Sequence, residues 1–83
     1  MRLIYFAWLR TRIGLAEEQV ETPSAVGTVG ELLAWLKTRG PGYDKALADL
    51  SVVRVAVNQD YVGPDHKLAP GDEVALFPPV TGG

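Results

Sequence analysis

The sequence predicts an α+β domain in which one main helix lies across one face of a mixed sheet of four to five strands. Two observations predict it. The periodic segments run in the order strand, strand, helix, strand, short strand, strand. Only one of them, "TVGELLAWLKTRG", has a helical period together with start and stop signals. A chain of 83 residues buries only about 60% of the surface it exposes when unfolded, which leaves room for one sheet and one good helix.

The first segment, "RLIYFAWL", is apolar on both parities. Leu3, Tyr5, Ala7 and Leu9 fall on one face and Ile4, Phe6 and Trp8 on the other, which predicts a central strand covered on both sides. "RTRIGL" reads as a turn, or a single helical turn, around Gly14. "EEQVET" reads as a second, more exposed strand closed by Pro23. In the helical segment Thr28 and Glu31 have capping-box spacing, and Val29, Leu32, Leu33 and Leu36 recur at i, i+3, i+4 and i+7. Lys37 and Arg39 suit the negative helix end, Gly40 is placed to take the left-handed C-terminal conformation, and Pro41 blocks continuation. The helix is therefore expected over residues 29–39. "YDKALADL" adds a further turn or two of helix.

"VVRVAVN" alternates, with Val53, Val55 and Val57 inward and Arg54 and Ala56 outward. "NQDYVG" is a tight turn into a short edge strand that carries Tyr61 and Val62. After a turn at Pro70 and Gly71, "DEVALF" forms the last strand, with Val74 and Leu76 on one face and Ala75 and Phe77 on the other. Pro78 and Pro79 have no amide donors, so pairing stops there. The domain is expected over residues 1–77, followed by an extended, flexible tail over 78–83.

The chain has no cysteine. That removes disulfides, thiolate catalysis and thiolate-bound metals together, and suits a cytoplasmic protein. Its net charge is −2 with eight Lys and Arg scattered along the chain, so no basic stripe for nucleic acid is present. No apolar run is long enough for a membrane span, and "MRLIYFAWLR" is too short for a signal peptide and lacks a small-residue cleavage site. His66, the only histidine, reads as a solvated loop residue, and neither Ser24 nor Ser51 sits in a nucleophile-elbow pattern. Glu17, Glu18 and Glu21 read as a solvated strand face and not as paired catalytic carboxylates. "VGTVG" fits neither a phosphate loop nor a dinucleotide fingerprint. No metal or cofactor is expected on this chain, and no self-contained active site emerges.

Two features remain. One helix leaves the opposite sheet face without a layer, and Ile4, Phe6, Trp8, Ala75 and Phe77 are expected there, with Tyr61 at the border. A contiguous apolar patch of this kind marks a partner site. The second feature is the ending "FPPVTGG". Residues without side chains let a backbone enter a narrow channel, where one methyl group would clash. The reactive group there would be the α-carboxylate of Gly83, a poor acyl donor that needs activation by an ATP-using partner. Thr81, Gly82 and Gly83 are thus expected to be delivered into another protein's site.

Taken together, "GDEVALFPPVTGG", "LIYFAWLR", "TVGELL" and "VAVNQDYV" resemble the small subunit of molybdopterin synthase, the MoaD family of sulfur carriers, over essentially the whole chain. The resemblance implies a β-grasp, ubiquitin-like fold. It further implies that an E1-like adenylyltransferase adenylates Gly83 with ATP and that the tail is then converted to a thiocarboxylate. Thr81 and Gly82 would thread the channel of the large synthase subunit, within a heterotetramer. The sulfur would pass to cyclic pyranopterin monophosphate to form the molybdopterin dithiolene, so the chain is a sulfur donor and not an enzyme on its own. Phe6, Tyr61 and Phe77, with Pro78 and Pro79 beside them, match the family's hydrophobic contact surface, and Arg10 matches a recurrent basic position near it. Trp8 and Leu76 depart from the family's pattern. Two rival readings share the activated glycine: the sulfur carrier of thiamin thiazole synthesis, and a ubiquitin-like modifier that forms isopeptide bonds with lysines. A plain interaction module with an inert tail is the third.

Overall fold

Leu3 and Tyr5, Val74 and Leu76, and Val55 and Val57 face one side of a single sheet, where all six are buried. Their alternation with less buried neighbours is what places them there. The computed structural model describes residues 1–79. Five strands, β1 (Arg2–Tyr5), β2 (Glu17–Gln19), β3 (Arg54–Val57), β4 (Asp60–Val62) and β5 (Glu73–Phe77), lie in the order β2-β1-β5-β3-β4. β1 and β5 are parallel and the other neighbours antiparallel. A parallel pair needs a long crossover, which the helices between β1 and β5 supply.

The main helix, α2 (Val29–Lys37), buries Val29, Leu32, Leu33 and Leu36 against that face. Its start is fixed as the sequence predicts. Thr28 Oγ1 accepts the Glu31 amide at 3.2 Å, and Glu31 Oε1 accepts the Gly27 amide at 3.0 Å. None of the described helices is long and apolar enough to cross a bilayer.

The strand expected over "RLIYFAWL" ends early, at Tyr5, and the chain turns into a helix, α1 (Ala7–Ile13). Ala7, at φ 55°, has the left-handed backbone that breaks the strand. Gly14, at φ 92°, closes α1 by donating its amide to the Arg10 carbonyl at 2.8 Å. Trp8 therefore leaves the open sheet face. It packs half-buried against the core, with the Arg12 guanidinium 4.6 Å from its ring.

α2 stops two residues before the expected end, and Gly40 is not its left-handed cap. Thr38 holds the cap in right-handed helical geometry, while Gly40 is extended at φ 160° and precedes α3 (Pro41–Ala46). Pro41 ends one helix and opens the next, since the first turn has no use for its missing amide. α3 comes so close to α1 that a Cβ on Gly42 would lie 2.6 Å from the Arg12 carbonyl oxygen.

Glu18 is not solvated as the acidic run implied. Its side chain is only 13% exposed. It accepts from the Tyr5 hydroxyl at 2.7 Å, the Tyr43 hydroxyl at 2.6 Å and the Arg39 guanidinium at 2.9 Å. Edge strand β2 is thereby tied to β1, to the end of α2 and to α3. Burial pushes the Glu18 carboxyl up, but the three donors outweigh it and hold the group below the usual carboxylate range. The Tyr5 hydroxyl is pushed far above its ordinary value, by burial first and then by its bond to Glu18. Glu17 and Glu21 are exposed, as expected.

Candidate functional site

The face turned away from α2 is ordered in rows by strand register. Ile4, Ala75, Ala56 and Tyr61 stand side by side across β1, β5, β3 and β4. The two alanines form a low floor between Ile4 and Tyr61. Ala56 points to this face as expected yet is only 6% exposed. One row nearer the chain exit, Phe77 pairs with Arg54. Phe6 is extended (φ −116°, ψ 153°) and donates its amide to the Leu76 carbonyl at 3.1 Å, which carries the alternation of β1 on beside Phe77. Phe6 is 48% and Tyr61 79% exposed. The rings of Tyr61 and Phe77 are 5.4 Å apart and tilted by 42°.

At the opposite end of the face the side chains are charged. Arg2 bonds Glu17 at 2.8 Å and lies 3.8 Å from Glu73. The open face is thus aromatic where the chain leaves the sheet and ionic at the far end. Large rings gathered at one spot bring most of the contact area that a docking partner can bury.

β5 is held by β1 on one side and β3 on the other, so Phe77 is a fixed root for the C-terminal residues. Pro78 and Pro79 are half-buried and outside any strand. Thr81, Gly82 and Gly83 lie outside the described residues. Arg10 is exposed on α1, which starts directly after Phe6 at this end of the sheet. Sequence reasoning placed Phe6, Tyr61 and Phe77 here but gave no role to Arg54. The alternation of "VVRVAVN" already put Arg54 on the same face.

The other polar groups of interest are engaged in holding the fold. The Ser51 hydroxyl donates to Asp49 at 2.6 Å in a 3-10 turn over Leu50–Val52. The amides of Val29 and Gly30, which open α2, donate to the His66 and Pro64 carbonyls at 3.0 and 2.9 Å. With the Glu31 amide on Thr28, the helix start has no free cradle for an anion. Among the described residues no three His, Asp or Glu side chains converge as metal ligands.

The model of the ThiS family matches residues 3–83. The chain belongs to the ThiS family. This ThiS-family chain is 37% identical to the molybdopterin synthase sulfur carrier subunit of Escherichia coli, covering 100% of this chain and 99% of that one. It is 33% identical to the molybdopterin synthase sulfur carrier subunit of Homo sapiens, covering 100% and 93%. Among solved structures it is similar to a Pyrococcus furiosus protein described as molybdopterin converting factor subunit 1, with TM-score 0.78, 34% identity and 95% coverage of both chains. It is also similar to the small archaeal modifier protein 1 of Haloferax volcanii, with TM-score 0.74, 29% identity and coverage of 96% and 97%. The ThiS-family chain has the ubiquitin-like β-grasp fold, in agreement with its strand order.

Proposed function

We propose that this chain is the sulfur carrier of a molybdopterin synthase. The observation that carries the reading is that Phe77, six residues before Gly83 in the sequence, stands at the aromatic end of the uncovered face. Such a domain presents a handle and a tail. The α-carboxylate of Gly83 is activated as an acyl adenylate by an ATP-using, E1-like partner, and a sulfur donor then replaces the adenylate to leave a thiocarboxylate. Thr81 and Gly82, one small and one without a side chain, pass the narrow channel of the large synthase subunit. Phe6, Tyr61, Phe77, Pro78 and Pro79 seat the domain on that partner, with Arg10 beside them. Sulfur passes to cyclic pyranopterin monophosphate to build the dithiolene, in a heterotetramer of two carriers and two large subunits. The absence of cysteine keeps the carried sulfur the only sulfur nucleophile on the chain.

A second reading is favoured by one observation, the similarity to a small archaeal modifier protein. There the activated Gly83 would be attacked by a lysine of another protein. Incubation with cell extract, ATP and a sulfide donor, followed by intact-mass measurement, separates the two. Replacement of one oxygen by sulfur supports the carrier, and adducts on lysines of other proteins support the modifier. An unchanged mass in the presence of active partner enzymes would sink both.

A further inference from the structure

Beside the root of the tail, a groove of about 380 Å³ opens between α2 and the β3–β4 end of the sheet. Its walls are Val29 and Leu33 of α2, Leu50 and Val53 at the 3-10 turn, and Val55 and Val62 of the strands. Leu50 on its rim is 45% exposed, so an apolar cleft of ligand size stands open with a large aliphatic side chain at its mouth. Arg54 lines it too, and with Val55 and Val62 also lines a smaller hollow of about 210 Å³ against Tyr61 and Phe77. The apolar surface is therefore continuous from the aromatic end of the open face, past Arg54, into the groove. Arg54 donates to the Ser51 and Val53 carbonyls at 3.0 and 3.5 Å, and no carboxylate among the described residues pairs with it.

The tail limits how far away its receiver can be. Residues 78–83 span at most roughly 20 Å when fully extended. A site that takes Gly83 must lie within that distance of Phe77, so the receiver's body overlies this end of the sheet. We propose that the groove is a second contact for the large synthase subunit, and that it takes an apolar side chain from a loop whose neighbouring carboxylate pairs with Arg54. This rests on the sulfur-carrier reading. The open aromatic face holds the domain, and the groove fixes its rotation about the tail, so that Gly83 is aimed along the channel. A carboxylate is the partner that a lone exposed guanidinium at an apolar rim selects, by bidentate geometry as well as charge.

The test is titration calorimetry of the full chain against its large subunit, with wild type, Leu50→Glu, Arg54→Glu, Arg54→Lys and Phe77→Ala compared. Leu50 and Arg54 are exposed, and circular dichroism verifies that each variant is folded. Leu50→Glu and Arg54→Glu are expected to weaken binding about tenfold each, Arg54→Lys to weaken it less than Arg54→Glu because it keeps the charge but loses the bidentate fork, and the Arg54 contribution to shrink at 1 M salt. Wild-type affinity in both Glu variants, with Phe77→Ala impaired, would overturn the groove while leaving the carrier reading intact. No binding by the wild-type chain would overturn the reading and the groove with it.

Discussion

Tyr61 on edge strand β4 and Phe77 at the end of β5 meet ring to ring at 5.4 Å across the intervening strand β3. The tilted contact braces the exposed Tyr61 ring against the half-buried Phe77 ring, so little side-chain freedom would remain to be lost on covering by a partner. Tyr61→Ala and Phe77→Ala are each expected to cost about 2 kcal/mol of partner affinity, roughly 30-fold. Tyr61→Ala leaves thermal stability nearly unchanged because the ring is 79% exposed. Calorimetric affinity and melting temperature measured on the same variants check both parts. Major unfolding of Phe77→Ala would mean that its ring supports the domain more than the interface.

Glu18 is the acceptor on which three donors converge, one of them the hydroxyl of Tyr5, a residue only 2% exposed. Glu18→Ala leaves that hydroxyl buried without a partner and is expected to destabilise by about 2 kcal/mol. For a domain of this size, that lowers the melting temperature by roughly 10 °C. Glu18→Gln keeps an acceptor and loses less. Equal melting temperatures for Glu18→Ala and wild type would show that solvent satisfies Tyr5.

The same cluster sets a pH window. The Glu18 carboxyl is held below its ordinary value when folded. Its contribution is therefore present above the unfolded value of about 4.3 and lost as pH falls through the lower folded value. Tyr5 and Tyr43 are raised, in both cases by burial first and then by Glu18. Their contribution is complete below the unfolded value of about 10 and is lost as pH rises beyond it. Urea midpoints should thus fall on both the acid and the alkaline side of neutrality, and Glu18→Gln should flatten the acid limb.

Most of this framework is legible in the residues. The capping pair Thr28 and Glu31, the i, i+3, i+4, i+7 stripe of α2 and the alternation around Val55 and Val57 each have a local physical cause, and each appears where it is read. α1 is hidden because "YFAWL" continues an apolar run in which period 2 and period 3.6 cannot be told apart. The switch is made by one backbone angle at Ala7, which no side-chain pattern announces. Its stop signal is nevertheless present, with Arg10 and Arg12 in the last turn and Gly14 behind them. Glu18 is misread for another reason. Its partners Arg39 and Tyr43 are 21 and 25 residues away in sequence, and only the docking of α3 beside β2 leaves this acidic strand residue largely covered. For the open face, parity alone finds Ile4, Ala75, Phe77 and Tyr61. Trp8 is lost from it because parity cannot be carried past the point where the strand ends.

Gly42 marks the closest approach of α3 to α1. An added Cβ would sit 2.6 Å from the Arg12 carbonyl oxygen, a backbone atom that cannot swing aside. Gly42→Ala must therefore separate the two helices and is expected to cost about 2 kcal/mol, within the usual range for overpacking. Gly63→Ala is the control, since an added Cβ there meets nothing within 4 Å; its effect should stay within about 0.5 kcal/mol. Chemical denaturation of the two variants side by side checks the contrast.

Asn58 and Gln59 join β3 to β4 with φ values of 50° and 73°, the two-residue hairpin whose favoured pair is Asn-Gly. Asn58 suits its place twice over. It tolerates the left-handed region, and its side chain donates to Asp72 at 3.0 Å and accepts the Glu73 amide at 3.1 Å, which locks the start of β5. Gln59 has no such compensation, and a non-glycine residue in this region costs about 1–2 kcal/mol. Gln59→Gly relieves that strain and adds back roughly 0.5–1 kcal/mol of chain entropy. A net gain of about 0.5–1 kcal/mol is expected, with carrier activity unchanged because the turn lies at the end of the sheet away from Phe77. A lower urea midpoint for Gln59→Gly than for wild type would show that the glutamine side chain holds the turn by a contact that outweighs its backbone strain.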